Sequence, residues 1–373
     1  MSTTHNRRAS TLFVAAGGGG DALAALLLAR RLADDGTTPT IVSYAWDRRI
    51  LDPMPGPRAA TDFTGTRKLT PSNVEITSAS RLRSGGLSTL QLLAETTSAR
   101  FVLLEPHQGA RGMREQLSEL ADYFSPESVV LVDVGGDLIS AGTEETVTSP
   151  LADALALGSL ANVPVPPQVA ITGPGLDGEL PPAYVRSRCL DLGGKLFARL
   201  DPSDVEPHFA ALAQHPSEST SLLAASALGV SGQAEIRDSD AVVSVSAACA
   251  DVYLLDGAAA LAGNRLAQEL AVTRSLVEAE RVTVATCGRS ELSHERQKAA
   301  TLASWTTPSI DDMRRRLERY WSSSTARGIT LATFRRLTEV MKLARYDARL
   351  VRSLAGSHAH PRLALSWTSL SGS

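Results

Sequence analysis

Two aspartates, Asp133 and Asp137, stand four apart across a glycine pair in the segment Asp133-Val134-Gly135-Gly136-Asp137. A turn at the glycines can fold both carboxylates into one pocket. There they either hold a divalent cation such as magnesium or push one pKa upward for acid–base work. A tight turn with Asp137 as a helix cap is the plain structural alternative.

A second cluster is Gly17-Gly18-Gly19-Gly20-Asp21. Four residues without a Cβ let backbone amides approach a ligand closely. A helix that follows adds its N-terminal amides and partial positive charge. The combination suits a phosphate or carboxylate, and so ATP or another nucleotide. Asp21 either caps that helix or binds a hydroxyl or a hydrated metal ion. Gly135, Gly136, Gly173 and Gly175 offer further backbone without side chains.

Glu105 and His107 supply groups that can move a proton, although a structural histidine fits as well. Trp46, Asp47 and Arg48, with Asp177 and Glu179 of Gly173-Pro174-Gly175-Leu176-Asp177-Gly178-Glu179, complete the set as substrate-facing groups.

Each group follows a short, continuously apolar run. The runs are Thr11–Ala16, Thr40–Tyr44, Phe101–Leu104, Ser128–Val132 and Gln168–Ile171. Such runs read as strands buried on both faces. Helical segments separate them, Asp21–Ala33, Leu87–Thr97, Met113–Tyr123 and Pro150–Leu160. Alternation at this spacing predicts right-handed crossovers and a parallel sheet. The fold class expected is α/β, a Rossmann-like open parallel sheet with helices on both faces, plus a mostly helical C-terminal region. In such sheets ligands bind at the carboxyl ends of the strands, beside the point where strand order reverses. All five groups would lie there.

The organisation expected is a flexible tail over 1–10, the α/β domain over 11–305 and a helical extension over 306–373. The long irregular stretch 46–84 suits a lid or a partner surface. Beyond Leu180 helices are expected at Tyr184–Leu190, Ser203–His215, Ser219–Leu228, Ala258–Leu270 and Ser290–Ala303. Strands are expected at Ala241–Ser246, Val252–Leu255 and Val282–Ala285.

Composition narrows the function. The 373 residues are 43% apolar and 21% charged, with a net charge of -3. That is ordinary globular chemistry and asks for neither nucleic acid nor an anionic membrane as partner. Aromatics at 5% make a poor base-stacking surface. Three scattered cysteines form no CxxC and fit a reducing, cytoplasmic setting. No apolar run approaches the roughly 20 residues that span a bilayer. The arginines of the C-terminal helices, among them Arg314, Arg315, Arg316, Arg319, Arg335 and Arg336, read as a solvated or subunit-facing surface, which leaves a homo-oligomer open.

The glycine run is not the dinucleotide fingerprint, because Ala22 fits only its relaxed form and the second strand ends in Tyr44 in place of an acid. No nucleophile elbow, HExxH, Walker A loop or zinc-spaced Cys/His set occurs.

The segments GGGGD, YAWDRR, DPMPGPR, EPHQGARG, DVGGDL, SPLADALAL and GPGLDGEL together resemble an uncharacterised bacterial and archaeal domain-of-unknown-function family (number 1152), over roughly residues 10 to 350. The resemblance implies that these loops belong to one family site and supplies no reaction. More weakly, Gly17–Ala22 is similar to the SGGxDS loop of the ATP-pyrophosphatase group, which adenylates its substrates. Gly17 and Ala22 stand where that loop has its serines.

The first expectation is therefore an enzyme of hydrolase or transferase type acting on a small phosphorylated, nucleotide- or nucleoside-like metabolite, with magnesium assistance. The alternatives are an ATP-dependent adenylating ligase and a non-catalytic regulatory protein that binds a small ligand.

Overall fold

The computed structural model describes residues 11–33, 36–236, 241–302, 307–355 and 367–369. The segment 1–10 and the boundary expected at 305 lie outside the described residues.

Five parallel strands form the centre, and the sequence explains their position. The first, Thr11–Ala15, is buried along its whole length, with Leu12 and Val14 in one core and Phe13 and Ala15 in the other. A strand that buries alternate residues in two separate cores must carry helices on both sides. The helices Gly19–Leu32 and Thr89–Thr96 contribute to one core, and Gly109–Phe124 and Pro150–Ser159 to the other. Pro150–Ser159 is buried at all ten positions, as expected of a helix that is apolar all round. Its single charge is Asp153.

The second to fifth strands are Thr40–Ser43, Arg100–Leu103, Ser128–Val134 and Pro167–Thr172. Their order across the sheet is third, second, first, fourth, fifth, and all neighbours are parallel. This is the Rossmann-like arrangement, and strand order reverses between the first and the fourth strands. Antiparallel strands extend the sheet to nine. Asp251–Asp256 and Lys195–Arg199 lie beyond the fifth strand, and Val74–Ile76 and Arg67–Lys68 beyond the third. Part of the long stretch 46–84 is thereby hydrogen-bonded into the sheet edge.

One expected strand is a helix. Val282–Ala285 lies inside the helix Leu276–Cys287. Ser275 accepts the Glu278 amide at its start, and Gly288, with φ of 74°, ends it. These two caps outweigh the β-preference of a short valine-rich run, whose Val284 is exposed. The segment Ala258–Leu270 is two helices, because Asn264 leaves helical geometry and caps the second through Ala267.

The C-terminal region contains strand as well as helix. Leu331–Thr333 pairs parallel with Gly232–Ile236, and Trp367–Ser369 pairs with Leu331–Thr333, in a second sheet of four strands. The helices Ile310–Ala326, Phe334–Val340 and Ala348–Ala355 form a third core that also takes in Ile50 and Leu51. Buried Glu235 joins the sheet to these helices through Arg336 at 3.0 Å and Arg327 at 2.5 Å. Among the described residues no helix is long and apolar enough to cross a membrane.

Candidate functional site

The loops after the first and fourth strands meet at the reversal of strand order. Asp21, in the first turn of its helix, accepts the amide of Gly17 at 2.5 Å with one carboxylate oxygen. Its other oxygen accepts the amide of Val134 at 3.0 Å. Asp133 precedes Val134 on the fourth strand and is buried, and its Oδ2 has no hydrogen-bond partner. Asp153 arrives from the helix after that strand. Asp21, Asp133 and Asp153 each direct a carboxylate oxygen to one spot, all within 4.8 Å of one another.

Gly17 is what lets these groups converge. A Cβ there would stand 2.8 Å from Asp21 Oδ2 and 3.0 Å from Asp153 Oδ1. The other glycines of the run also yield space to protein groups. A Cβ on Gly19 would strike the Thr89 side chain and one on Gly20 would meet Ser217 Oγ at 2.8 Å. In this structure the run therefore admits carboxylates and hydroxyls of the chain itself.

The fourth and fifth loops form one floor. The Gly135 amide donates to Thr172 at 3.0 Å, and the Gly175 amide donates to Gly135 at 2.7 Å. Gly135 has φ of 132°, and a Cβ on it would lie 2.5 Å from the Asp177 carboxylate. Gly136, with φ of 103°, lies against Val185, and Gly173 and Gly175 also have positive φ. Asp137 opens a short 3-10 turn and is half-buried. Glu179 is buried and accepts amides and hydroxyls from Thr148 and Ser149, at the start of the helix that carries Asp153.

Acids dominate the electrostatics. Burial pushes Asp21 up to about 7, against the two amide bonds that favour its charged form. Burial also raises Asp133 and Asp153 well above the usual carboxylate range, and the neighbouring carboxylates add to the effect. Asp137 is raised well above that range by burial and then by the charges of Asp153, Glu179, Asp177 and Asp21. None of Asp21, Asp133, Asp137 and Asp153 has an ion-pair partner among the described residues.

A helix from far along the chain covers this centre. Glu291, at the start of Glu291–Leu302, accepts the amides of Leu151 and Ala152, each at 2.9 Å. It thereby caps the helix bearing Asp153, and its burial raises it to about 7. One turn on, Glu295 accepts the Trp46 indole N–H at 3.0 Å and the Gly56 amide at 2.8 Å.

The remaining expected residues make other contacts. Asp47 accepts the amide and hydroxyl of Thr89 and so tethers the start of another helix. Burial raises Asp47 to about 6. Arg48 is exposed. Glu105 accepts the Ala60 amide at 3.1 Å. His107 is exposed and lines a cavity of about 280 Å³ with Arg58, Glu280, Leu292 and Arg296. That cavity borders the covering helix, because Gly56 packs on Leu292.

Sequence reasoning did not single out Asp153, Glu291 or Glu295. For Asp153 a signal existed, a lone charge in the first turn of an otherwise apolar helix that follows Asp137. Nothing local marks Glu291 or Glu295, since their helix is mostly polar and distant in the chain.

No curated protein matches the chain, and no solved structure does. A family profile described as Protein of unknown function (DUF1152) matches residues 12–299. That span holds nearly all of the parallel sheet, the acidic centre and most of the helix that covers it, and the chain belongs to this family.

Proposed function

We propose that the chain is an enzyme that acts on a small phosphorylated metabolite of nucleotide or nucleoside type, by hydrolysis or group transfer. The observation that carries this reading is the meeting of Asp21, Asp133 and Asp153 at the reversal of strand order, where open α/β sheets bind ligands. Buried carboxylates without basic partners cost stability and are retained where chemistry uses them.

Asp137 supports a proton-transfer role. It is half-buried, and burial together with the neighbouring carboxylates raises its pKa, which suits it to hand a proton to a leaving oxygen. A bare phosphate would be repelled by such a centre, so the anion needs a cation between, with magnesium as the natural choice. The adenylating alternative has less support, because the first amide of the glycine run is already bonded to Asp21.

The test is a thermal-shift panel of nucleotides, phosphosugars and amino acids, each with and without magnesium, followed by turnover assays on whatever binds. Ligand at about 100 times its Kd stabilises by about 2.7 kcal/mol, which is readily seen. The reading expects one phosphorylated class to shift the transition and to be turned over, with turnover falling at least about a hundredfold in Asp137→Asn. Binding confined to unphosphorylated ligands, or turnover untouched by Asp137→Asn, would overturn it.

A further inference from the structure

We propose that Asp21, Asp133 and Asp153 form a binding site for one hard divalent cation of the magnesium class. The site deepens the reading above and rests on it only for the ion's purpose.

Three observations carry the assignment. The first is distance. Ions bound by oxygen at about 2.1 Å (magnesium) to 2.4 Å (calcium) place opposite ligands up to about 4.8 Å apart. The three carboxylate oxygens lie within 4.8 Å of one another, so small side-chain movements bring all three onto a single ion. The second is the buried Asp133 Oδ2, which has no hydrogen-bond partner. A buried carboxylate oxygen left unbonded is costly, and a coordinated cation removes that cost. The third is preorganisation. The amides of Gly17 and Val134 fix Asp21, and Glu291 and Glu179 hold the start of the helix that carries Asp153. Gly17 keeps the space between Asp21 and Asp153 clear of any side chain.

The ligand set is all oxygen, without cysteine or histidine, which selects magnesium, manganese or calcium over zinc or copper. Three carboxylates leave coordination positions for water and for substrate oxygens. The set also differs from the pair suggested by sequence spacing. Asp133 belongs to it, Asp137 stands beside it, and Asp21 and Asp153 complete it.

The experiment is a manganese titration of the full chain, reading free Mn²⁺ by electron paramagnetic resonance, without any substrate. The expected result is one Mn²⁺ per chain, displaced by Mg²⁺. Asp153→Asn should weaken binding roughly tenfold or more, since affinity follows ligand charge. The exposed Asp122→Asn should bind as the wild type does. A second readout is thermal stability. Asp153→Asn should raise the melting temperature of the metal-free protein, by relieving carboxylate repulsion, and abolish the rise that Mn²⁺ gives the wild type. No uptake at millimolar Mn²⁺, or wild-type binding by Asp153→Asn, would overturn the site. Manganese uptake without any response to phosphorylated ligands would leave the site standing and remove the substrate reading. Turnover of a phosphorylated ligand without manganese uptake would do the reverse.

Discussion

The carboxylate of Asp21 accepts the amide of Val134 at 3.0 Å, and so clamps the loop after the first strand to the loop after the fourth. Its second oxygen takes the Gly17 amide. Asp21→Ala would leave the buried Val134 amide and the half-buried Gly17 amide without an acceptor. Such a group costs about 1–3 kcal/mol each. Denaturant unfolding of metal-free protein should show Asp21→Ala clearly less stable than Asp21→Asn. The asparagine keeps an acceptor and loses a charge that its surroundings oppose. Equal loss in the two variants would mean that the clamp contributes little.

Gly17→Ala tests the close approach. The backbone of Gly17 is not in the left-handed region, so only the added methyl matters. It would press on Asp21 and Asp153, and overpacking of this kind costs about 1–3 kcal/mol. The variant should lose stability and ligand response together. A variant that melts and binds like the wild type would show that the carboxylates can part freely.

The acidic centre predicts an unusual pH profile. Asp21 and Glu291, raised to about 7, and Asp47, raised to about 6, bind protons more tightly in the folded chain than in the unfolded one. Between about pH 4 and pH 7 these groups bind more protons in the folded state and outweigh His215, which burial lowers to about 3 and which acts the other way, so stability falls as pH rises. Each titrating group contributes at most about 1.4 kcal/mol per pH unit. Metal-free protein should melt at a higher temperature at pH 5 than at pH 7.5, and magnesium should flatten or reverse the trend. A melting temperature that climbs from pH 5 to pH 7.5 without metal would contradict the raised pKa values.

The covering helix is held by two glutamates with separate duties. Glu295→Gln should weaken the contacts to the Trp46 indole and the Gly56 amide, and so speed amide exchange in Glu291–Leu302 with a small effect on global unfolding. Glu291→Ala removes the acceptor for two amides of the helix Pro150–Ser159 and should cost about 1–2 kcal/mol. Hydrogen exchange read by mass spectrometry separates the two. Identical exchange in Glu295→Gln and wild type would mean that other contacts hold the helix.

Glu235 is buried and is balanced by two arginines, Arg327 and Arg336. Breaking a buried pair by removing one partner costs about 3–5 kcal/mol. Glu235→Ala should therefore loosen the second sheet and the C-terminal helices first, seen as earlier proteolysis in 310–355. Cleavage kinetics unchanged from the wild type would assign that junction to apolar packing alone.

The central sheet was legible because its strands are buried on both faces and so appear as unbroken apolar runs. Thr11–Ala15 and Pro167–Thr172 differ from the expected spans by a residue or so at each end. Strand order was not legible, since it depends on contacts between segments distant in the chain. That order decides which loops meet, and it brings Asp21 beside Val134. Asp153 stood out only as part of the segment SPLADALAL, with no role of its own, because it sits within a helix and not in a strand-end loop. The strands Gly232–Ile236 and Leu331–Thr333 were missed for another reason. They are short, and the pairing that joins one to the other spans about a hundred residues, although Gly232–Ile236 also pairs with the neighbouring Ala241–Val245. Val282–Ala285 misled because β-branched residues tolerate a helix whose ends are firmly capped.

The cover over the acidic centre has a consequence for the order of synthesis. All three aspartates have been made once the chain reaches residue 153, but Glu291 follows only after the strand Asp251–Asp256 has also been made. During that interval the amides of Leu151 and Ala152 lack their acceptor, and the nascent carboxylates face the cytosol or whatever fluid surrounds the ribosome. If the proposed site takes an ion, one met in that interval would be enclosed as the last turns form, and the metal content of purified protein would then reflect the medium in which it was made as well as the buffer in which it is kept.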